Sequence, residues 1–477
     1  MRTRIVSAMA LLGSFSAAPA LAQTVINTRV VQAMPSKYTP PNCGLKAGHF
    51  KVQSGATYLK TGIETDVPEN QVRVLANGKK VLLDALNQNQ QEKNPALWYY
   101  LGRIHLQQGD IEGADSAFTK AETMSPKCKK EISDLRYTGW VPLVNAGITF
   151  AKQQSNDSAL ALFRQANTIY RDKPQAYSAA GVIFANQQAT DSAIVYFQRA
   201  AEIAAAANLA EDRNSATYNL GAMLQRANRN DEAIVALERF IGWVPKDIEA
   251  KKALAGLYRM TGKTDKAKVI EQELLAMGAT TDATGAAAVG AEDISNIGVN
   301  LYNEKKYAEA AAAFEKALVA EPYNRDVLSN LANTYLALKS GPKLLATADR
   351  LVAIEPLSEN ALKLQREGHR QSGKIDSAVK LAEAVLALAV DVRVTDLTTV
   401  KDGAKLTGTV TGRQAQTPTG KAIPPAPVAL VFEFLDAKGA PVATQEAQIP
   451  ALTAGATHDL SVEAKGAGIT AWRYKRK

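Results

Sequence analysis

Residues 98–126 read WYYLGRIHLQQGDIEGADSAFTKAETMSP, and this stretch predicts two helices joined by a tight turn. One face of the first helix carries residues at the spacing i, i+3, i+4 and i+7, namely Trp98, Leu101, Gly102 and His105. After the turn signal at 107–110, the second helix presents a facing stripe of Ala114, Phe118 and Ala121. Pro126 closes the unit, because proline lacks an N–H and crowds the preceding turn.

The same pattern returns at a fixed interval along the chain. Gly147 and Gly181 lie 181 − 147 = 34 residues apart, and Phe163 and Phe197 repeat that interval. A constant period of this size indicates stacked helical units, in which each unit is stabilised mainly by its neighbours. Such arrays usually serve as docking surfaces, so the period favours a binding protein over a catalyst.

The unit resembles a tetratricopeptide repeat, because it matches the W-L-G-Y…A-F-A…P signature with His105 in the Tyr place. Further units follow in the same frame, and their small residues are Gly147, Gly181, Gly221, Ala255, Gly298 and Ala332. A last degenerate unit has Leu362, His369 and Ala378. The resemblance implies a mainly α protein with an α-solenoid of about seven to eight hairpins. Residues 48–90, within an N-terminal region of 23–94, predict one more helical pair without the signature.

Two interruptions divide the repeats. Residues 276–291 are small and nearly uncharged, and they predict a flexible linker between one block at 95–275 and a second at 292–387. The alternative is that the alanines extend a helix, which the glycines and threonines of this stretch disfavour. An insertion around residues 129–137 lengthens the spacing between the first and second units.

After residue 388 the period changes from helical to strand-like. Alternate residues of 428–434 are apolar, as one buried face of a strand requires, and about six short strands separated by turn residues predict a small Ig-like β-sandwich over 388–477. The sequence Phe432-Glu-Phe434-Leu435-Asp436 is similar to the naming motif of bacterial FxLYD-type domains, although its third and fourth positions differ. This resemblance implies an adhesive or packing module.

The first residues predict a secretory signal peptide over 1–22. Arg2 and Arg4 precede an apolar run, and Ala20-Leu21-Ala22 is an A-x-A site, so cleavage is expected before Gln23. An uncleaved anchor is the alternative, but the apolar run is short for a span. We expect the mature protein in a bacterial periplasm, with secretion or outer-membrane association as alternatives, and we expect no transmembrane span in it.

The chain has two cysteines, Cys43 and Cys128. An oxidising compartment favours a disulfide between them, which would clip the N-terminal region to the first repeat. The alternative is two unrelated thiols, because sequence alone does not establish their geometry. Neither cysteine has a Cys or His nearby at ligand spacing, so no metal site is expected.

Catalytic motifs are missing from the sequence. The four histidines, His49, His105, His369 and His458, are far apart, and two of them take the Tyr place of a repeat, where packing in the core is the simpler role. There is no Walker loop, no His-Glu-x-x-His and no Gly-x-Ser-x-Gly. We therefore expect neither an enzyme nor a cofactor.

The first helix of each repeat is expected to line a groove that binds a protein or peptide partner. Polar side chains at its inward positions can hydrogen-bond a peptide backbone or a carboxylate. The alternative is that they are ordinary surface residues. The predicted groove residues are Tyr99, Arg103, Lys152, Tyr218, Gln225, Arg226, Lys252, Arg259, Tyr302, Asn303 and Asn333.

The formal charge is +9, and loss of Arg2 and Arg4 with the signal peptide leaves 9 − 2 = +7. A positive surface favours acidic partners or weak contact with an anionic envelope surface, whereas export and the missing recognition motifs disfavour nucleic acid. The main hypothesis is an exported, non-enzymatic scaffold for protein or peptide binding. The alternative is an accessory subunit of an envelope-biogenesis or polysaccharide-export enzyme complex.

Overall fold

A computed structural model of the protein describes residues 37–278 and 289–477. These residues form a mainly helical, tetratricopeptide-like solenoid of eighteen α-helices, followed by six strands. Consecutive helices pack as pairs, as the repeats predict. The helices are α1 Phe50–Ile63, α2 Pro68–Gln88, α3 Pro95–Gln107, α4 Ile111–Met124, α5 Lys129–Lys152, α6 Asn156–Ile169, α7 Gln175–Asn186, α8 Thr190–Ala206, α9 Ala210–Arg226, α10 Asn230–Trp243, α11 Ile248–Met260, α12 Thr264–Met277, α13 Ala291–Asn303, α14 Tyr307–Ala320, α15 Arg325–Ala337, α16 Gly341–Ile354, α17 Glu359–Gln371 and α18 Ile375–Ala387.

The described chain divides into two compact units. The first extends to Ala250 and includes 260–262, and the second holds 251–259 and everything from 263 onward. Residues 279–288 of the predicted linker are outside the described part of the chain, as is the predicted signal peptide. The expected mobility between two repeat blocks therefore stays a prediction.

Glycine on the first helix of a pair lets the second helix approach closely, because glycine has no side chain. A Cβ atom added to Gly181 would lie 2.8 Å from Cε1 of Phe197, and one added to Gly147 would lie 2.6 Å from Cε1 of Phe163. Both phenylalanines are completely buried. The glycine and the aromatic ring therefore share one volume, and this is why the two residue types recur together in the sequence.

Each of the eight pairs from α3 to α18 turns through a residue with positive φ two positions after the last residue of its first helix. Such a left-handed residue is a common way to end a helix, and glycine adopts it without strain. Only three of the eight positions hold glycine, while Gln, Asn or Lys adopts the same conformation elsewhere. The eight residues are Gly109, Gln154, Gln188, Asn228, Gly262, Lys305, Lys339 and Gly373.

The predicted insertion at 129–137 is helical. It forms the first turns of α5, which is 24 residues long and carries Pro142 in its interior. The insertion thus extends the first helix of the second repeat toward the N-terminal region instead of forming a loop. The helical pair predicted for residues 48–90 is also present, as α1 and α2.

The C-terminal β-domain has six strands in two antiparallel sheets, as predicted for a small sandwich. Alternate residues of β3 are buried, including Phe432 and Phe434, which are completely inaccessible. The sheet orders are β1-β2-β5 and β4-β3-β6. The strands are β1 Val390–Val400, β2 Gly403–Gly412, β3 Val428–Leu435, β4 Pro441–Ile449, β5 Thr457–Lys465 and β6 Ala471–Arg476.

Within the second unit, the β-domain packs on the last helices through main-chain and side-chain hydrogen bonds. The N–H of Val392 donates to the carbonyl of Leu357 at 3.1 Å. The Arg413 guanidinium donates to the carbonyl of Val385 at 2.6 Å and to Glu359 at 2.9 Å, so it binds the end of α18 and the start of α17 together. These contacts therefore hold the β-domain against the last helices of the array.

No helix in the described ranges is both long and apolar enough to span a membrane.

Candidate peptide-binding face of the first helices

The eleven predicted groove residues lie in three different environments. Two are buried under the chain's own N-terminal residues, two form ion pairs with the next repeat, and the others are exposed or partly exposed on the first helices. The exposed and partly exposed group is Lys152, Tyr218, Gln225, Arg226, Tyr302, Asn303 and Asn333.

Tyr99 and Arg103 are buried, whereas residues that line an open groove would be exposed to solvent. Tyr99 is 0% exposed and Arg103 is 5% exposed, because residues 37–48, which we call the docked segment, cover them. The guanidinium of Arg103 donates to the main-chain carbonyl of Thr39 at 2.7 Å, and it lies 4.8 Å from the ring centroid of Tyr38. The inward face of the first repeat thus holds a stretch of peptide that is neither helix nor strand.

Glu131, in the first turn of α5, completes this cluster. One carboxylate oxygen accepts a hydrogen bond from the Tyr99 hydroxyl at 2.6 Å, and the other accepts from the main-chain N–H groups of Asn42 and Cys43, both at 3.1 Å. Arg103 donates to the Tyr99 hydroxyl at 3.3 Å, so the hydroxyl connects the cation to the carboxylate. The cluster therefore binds one carbonyl and two N–H groups of a peptide backbone.

Burial sets the protonation of the tyrosines in this cluster. It raises the pKa of Tyr99, against the lowering effect of the neighbouring Arg103 charge. It likewise raises the pKa of Tyr100, to about 12, with Tyr38 adding to the effect. Tyr99 consequently remains a hydrogen-bond donor to Glu131 at neutral pH.

The docked segment is fixed at its middle by the predicted cysteine pair. The sulfur atoms of Cys43 and Cys128 lie 2.13 Å apart, and the Cα atoms lie 5.1 Å apart. Cys128 directly precedes α5 and is completely buried. The disulfide thus joins the segment to the element that carries Glu131, three positions further along the chain.

Two predicted groove residues in the second unit neutralise carboxylates of the following helices. Arg259 donates to both carboxylate oxygens of Glu271 at 2.5 Å and to Glu304 at 3.0 Å. Hydrogen bonding to Glu271 raises the pKa of Arg259. Lys252 pairs with Asp293 at 2.8 Å. These two cations join neighbouring repeats.

Several remaining groove residues make local contacts. Tyr218 packs its ring 5.2 Å from that of Phe240, and Tyr302 lies edge-on to Tyr307 at 5.2 Å. Asn333 donates to a carbonyl of its own helix. Lys152, Arg226 and Asn303 are exposed at the ends of their first helices, and Gln225 is partly exposed.

A cavity of about 290 Å³ lies among α12, α13 and α14 in the second unit. Its lining lysines already have partners, since Lys268 and Lys306 pair with Glu304 and Lys316 donates to the carbonyl of Leu275. The positive charges that line the cavity are therefore largely neutralised inside the protein.

No group of His, Cys, Asp and Glu in the described residues is arranged to hold a metal ion.

The sequence reasoning missed Glu131, Tyr38 and Thr39. All three lie in regions without the repeat signature, so their spacing carried no information about them. One signal was available, because a Cys43–Cys128 bond brings the residues before Cys43 close to the start of α5. The carboxylates that pair with Lys252 and Arg259 were also missed, since they lie on other helices than the cations.

A family model described as a tetratricopeptide repeat matches residues 95–128. No curated protein matches the chain. A solved structure of a MamA protein is 21% identical, with 38% of this chain and 90% of that chain covered and a TM-score of 0.25. YrrB, described as a TPR protein with an unusual peptide-binding site, is 20% identical over 52% of this chain and 97% of its own, with a TM-score of 0.25. A tetratricopeptide repeat protein from Parabacteroides merdae is 19% identical, with 59% and 99% covered and a TM-score of 0.24.

Proposed function

We propose that this protein is an exported, non-enzymatic scaffold that binds extended peptides or protein partners along the first helices of its repeats in the bacterial cell envelope. The observation that carries the proposal is the docked segment on α3 and α5. A stretch of chain without helix or strand lies where a partner peptide was predicted, and it is bound largely through backbone groups that any peptide possesses.

Charge supports the same function. Lys152 and Arg226 are exposed at the ends of the first helices α5 and α9, in the first unit. A mature chain of net charge 9 − 2 = +7 attracts acidic partners over long range. Exposed cations of this kind are suited to carboxylates of a bound protein.

The expected location rests on two independent features. The sequence of residues 1–22 has the charged start, apolar run and A-x-A site of a secretory signal. Cys43 and Cys128 form a disulfide, and disulfides persist in oxidising compartments. Together these features favour the periplasm. The β-domain, with its FxLYD-like motif, would offer a second contact surface at the end of the array.

Capture of partners from a periplasmic extract tests the proposal. The full chain with Lys152→Ala and Arg226→Ala is expected to retain several-fold less partner than the wild type, at unchanged helical content. The matched control is Arg164→Ala with Arg239→Ala, which removes the same charge from exposed positions on the second helices α6 and α10 of the same two pairs. Equal capture by both double variants would place the binding face elsewhere.

The identity of the captured material separates the two functional hypotheses. A scaffold for extended peptides retains several proteins or fragments, all competing with one another. A single enzyme recovered in stoichiometric amount would instead favour the accessory-subunit hypothesis.

A further inference from the structure

The contacts of the docked segment define a specific kind of ligand. Tyr38 supplies an aromatic ring to Arg103, Thr39 supplies a carbonyl, and Asn42 and Cys43 supply two consecutive N–H groups to Glu131. Pro40 and Pro41 stand between them, and proline has no N–H to leave unsatisfied. The spacing between the carbonyl and the N–H pair is therefore set by a stiff stretch of chain.

Most of these contacts use the main chain of the segment, not its side chains. Apart from the Tyr38 ring, the groups that bind Arg103 and Glu131 are present in every peptide. Residues 37–42 carry no helix or strand, and Thr39, Pro40 and Asn42 are exposed on their outer side. A second peptide with the same backbone spacing can thus make the same hydrogen bonds, provided that the segment has left.

The disulfide prevents the segment from leaving. The chain connection to α1, which begins at Phe50, already tethers the segment, and the bond from Cys43 to Cys128 adds a second covalent link that raises its effective concentration at the site further. Cys43 is the more accessible of the two cysteine residues, since it is partly exposed whereas Cys128 is completely buried. A thiolate of an external dithiol can attack the Cys43 sulfur, so that the S–S bond breaks and Cys128 leaves as a thiolate that takes up a proton. The second thiol of the reagent then releases Cys43, and the dithiol ends as a disulfide.

We infer that Tyr99, Arg103 and Glu131 form a binding site for a peptide with an aromatic residue, one further residue that supplies a carbonyl, two prolines and two free N–H groups, and that the Cys43–Cys128 disulfide keeps this site occupied by residues 38–43 of the chain itself. This inference rests on the proposed function and specifies its ligand and its control in the first repeat. It is separate from the exposed cations Lys152 and Arg226, which lie at the C-terminal ends of α5 and α9.

Fluorescence anisotropy with a labelled peptide tests the site. The peptide is residues 37–47 with Ser in place of Cys43, and the opened protein is the full chain with Cys43→Ser, Cys128→Ser and Tyr38→Ala. The opened protein is expected to bind the peptide at least tenfold more tightly than the disulfide-bonded wild type. A peptide with Ala in place of Tyr38, or with N-methyl groups on residues 42 and 43, is expected to bind at least tenfold more weakly.

Two control measurements distinguish release of the docked segment from loss of the folded array. Lys46 is exposed in the docked segment, so an increase in the rate of trypsin cleavage after Lys46 relative to the disulfide-bonded wild type reports release of the segment. Far-UV circular dichroism reports whether the array remains folded. Release without peptide binding overturns the site, and no release overturns the role of the disulfide. Adding Glu131→Gln to the opened protein is expected to weaken peptide binding about tenfold, so unchanged affinity would also overturn the site. Partner capture through Lys152 and Arg226 is measured independently, so failure here leaves that result standing.

Discussion

The main-chain N–H of Leu357, between α16 and α17, donates a hydrogen bond to the hydroxyl oxygen of Tyr474 in β6 at 3.2 Å. Tyr474 is 2% exposed, and its ring stacks on Trp472. This hydrogen bond joins the last repeats to the β-domain, and its two residues are far apart in the sequence. Burial raises the pKa of the Tyr474 hydroxyl well above its usual value, so it stays protonated.

Replacing Tyr474 by Phe is expected to destabilise the second unit by about 1–2 kcal/mol, because it leaves the Leu357 N–H without an acceptor. Urea unfolding followed by far-UV circular dichroism measures the effect in both units. Tyr137→Phe serves as the control, since Tyr137 is 42% exposed and the same deletion there should change stability by less than about 0.5 kcal/mol. Equal effects of the two changes would argue against the interdomain bond.

Two Gly→Ala replacements are expected to change the free energy of unfolding in opposite directions, because their surroundings differ. Gly181→Ala places a methyl group against the buried Phe197 and is expected to destabilise by about 1–3 kcal/mol. Gly256→Ala, in the interior of α11 with nothing within 4 Å of the new Cβ, is expected to stabilise by up to about 1 kcal/mol through helix propensity. Thermal melting of the two variants gives the comparison, and stabilisation by both would remove the steric account of the repeat.

Loss of the disulfide is expected to lower the stability of the first unit by about 2–4 kcal/mol, because the bond closes a loop with a sequence separation of 85 residues. The Cys43→Ser, Cys128→Ser variant should melt at the same temperature as the reduced wild type. Reductant should not change the melting of the double variant. A melting temperature that is insensitive to reduction in the wild type would contradict the structural role of the bond.

His105 makes the stability of the first repeat depend on pH. Its Nδ1 atom lies 2.6 Å from Asp110, yet burial lowers the pKa of His105 below its usual value of 6.5, aided by Lys79. The unfolded state therefore binds a proton at higher pH than the folded state does. The stability that comes from keeping His105 neutral is therefore fully present above about pH 6.5. It is lost as the pH falls from there through the lower folded-state pKa of His105.

The His105→Gln variant keeps a hydrogen-bond donor near Asp110 but does not titrate. We expect its stability to change less than that of the wild type between pH 7.5 and 5, as measured by denaturant midpoints at each pH. An unchanged slope would assign the pH dependence to other groups.

The repeat architecture was predictable because its determinants are local. The glycine and phenylalanine of a pair recur in one short frame, so the sequence shows both partners of the contact at once. The cysteine pair was also predictable, since only one pairing exists. The identity of the accessible groove residues was not predictable, because it depends on which segments cover them.

Tyr99 and Arg103 illustrate this limit. Their position on α3 follows from helical periodicity, but their burial follows from residues 38 and 39, which are sixty or so positions earlier and carry no repeat signature. Lys252 and Arg259 were likewise placed on the correct helix, while their carboxylate partners lie on later helices.

The sequence by itself determined the helical pairs, their number to within one or two, and the change to strands near residue 388. These features depend on residue patterns within about one repeat, where periodicity and turn residues act directly. Only the tertiary structure decided which polar residues face solvent, because burial of a side chain is set by chain segments that sequence spacing does not relate to it. For the same reason, the bond from Leu357 to Tyr474 and the cluster of Arg103 with Glu131 became visible only in the folded chain.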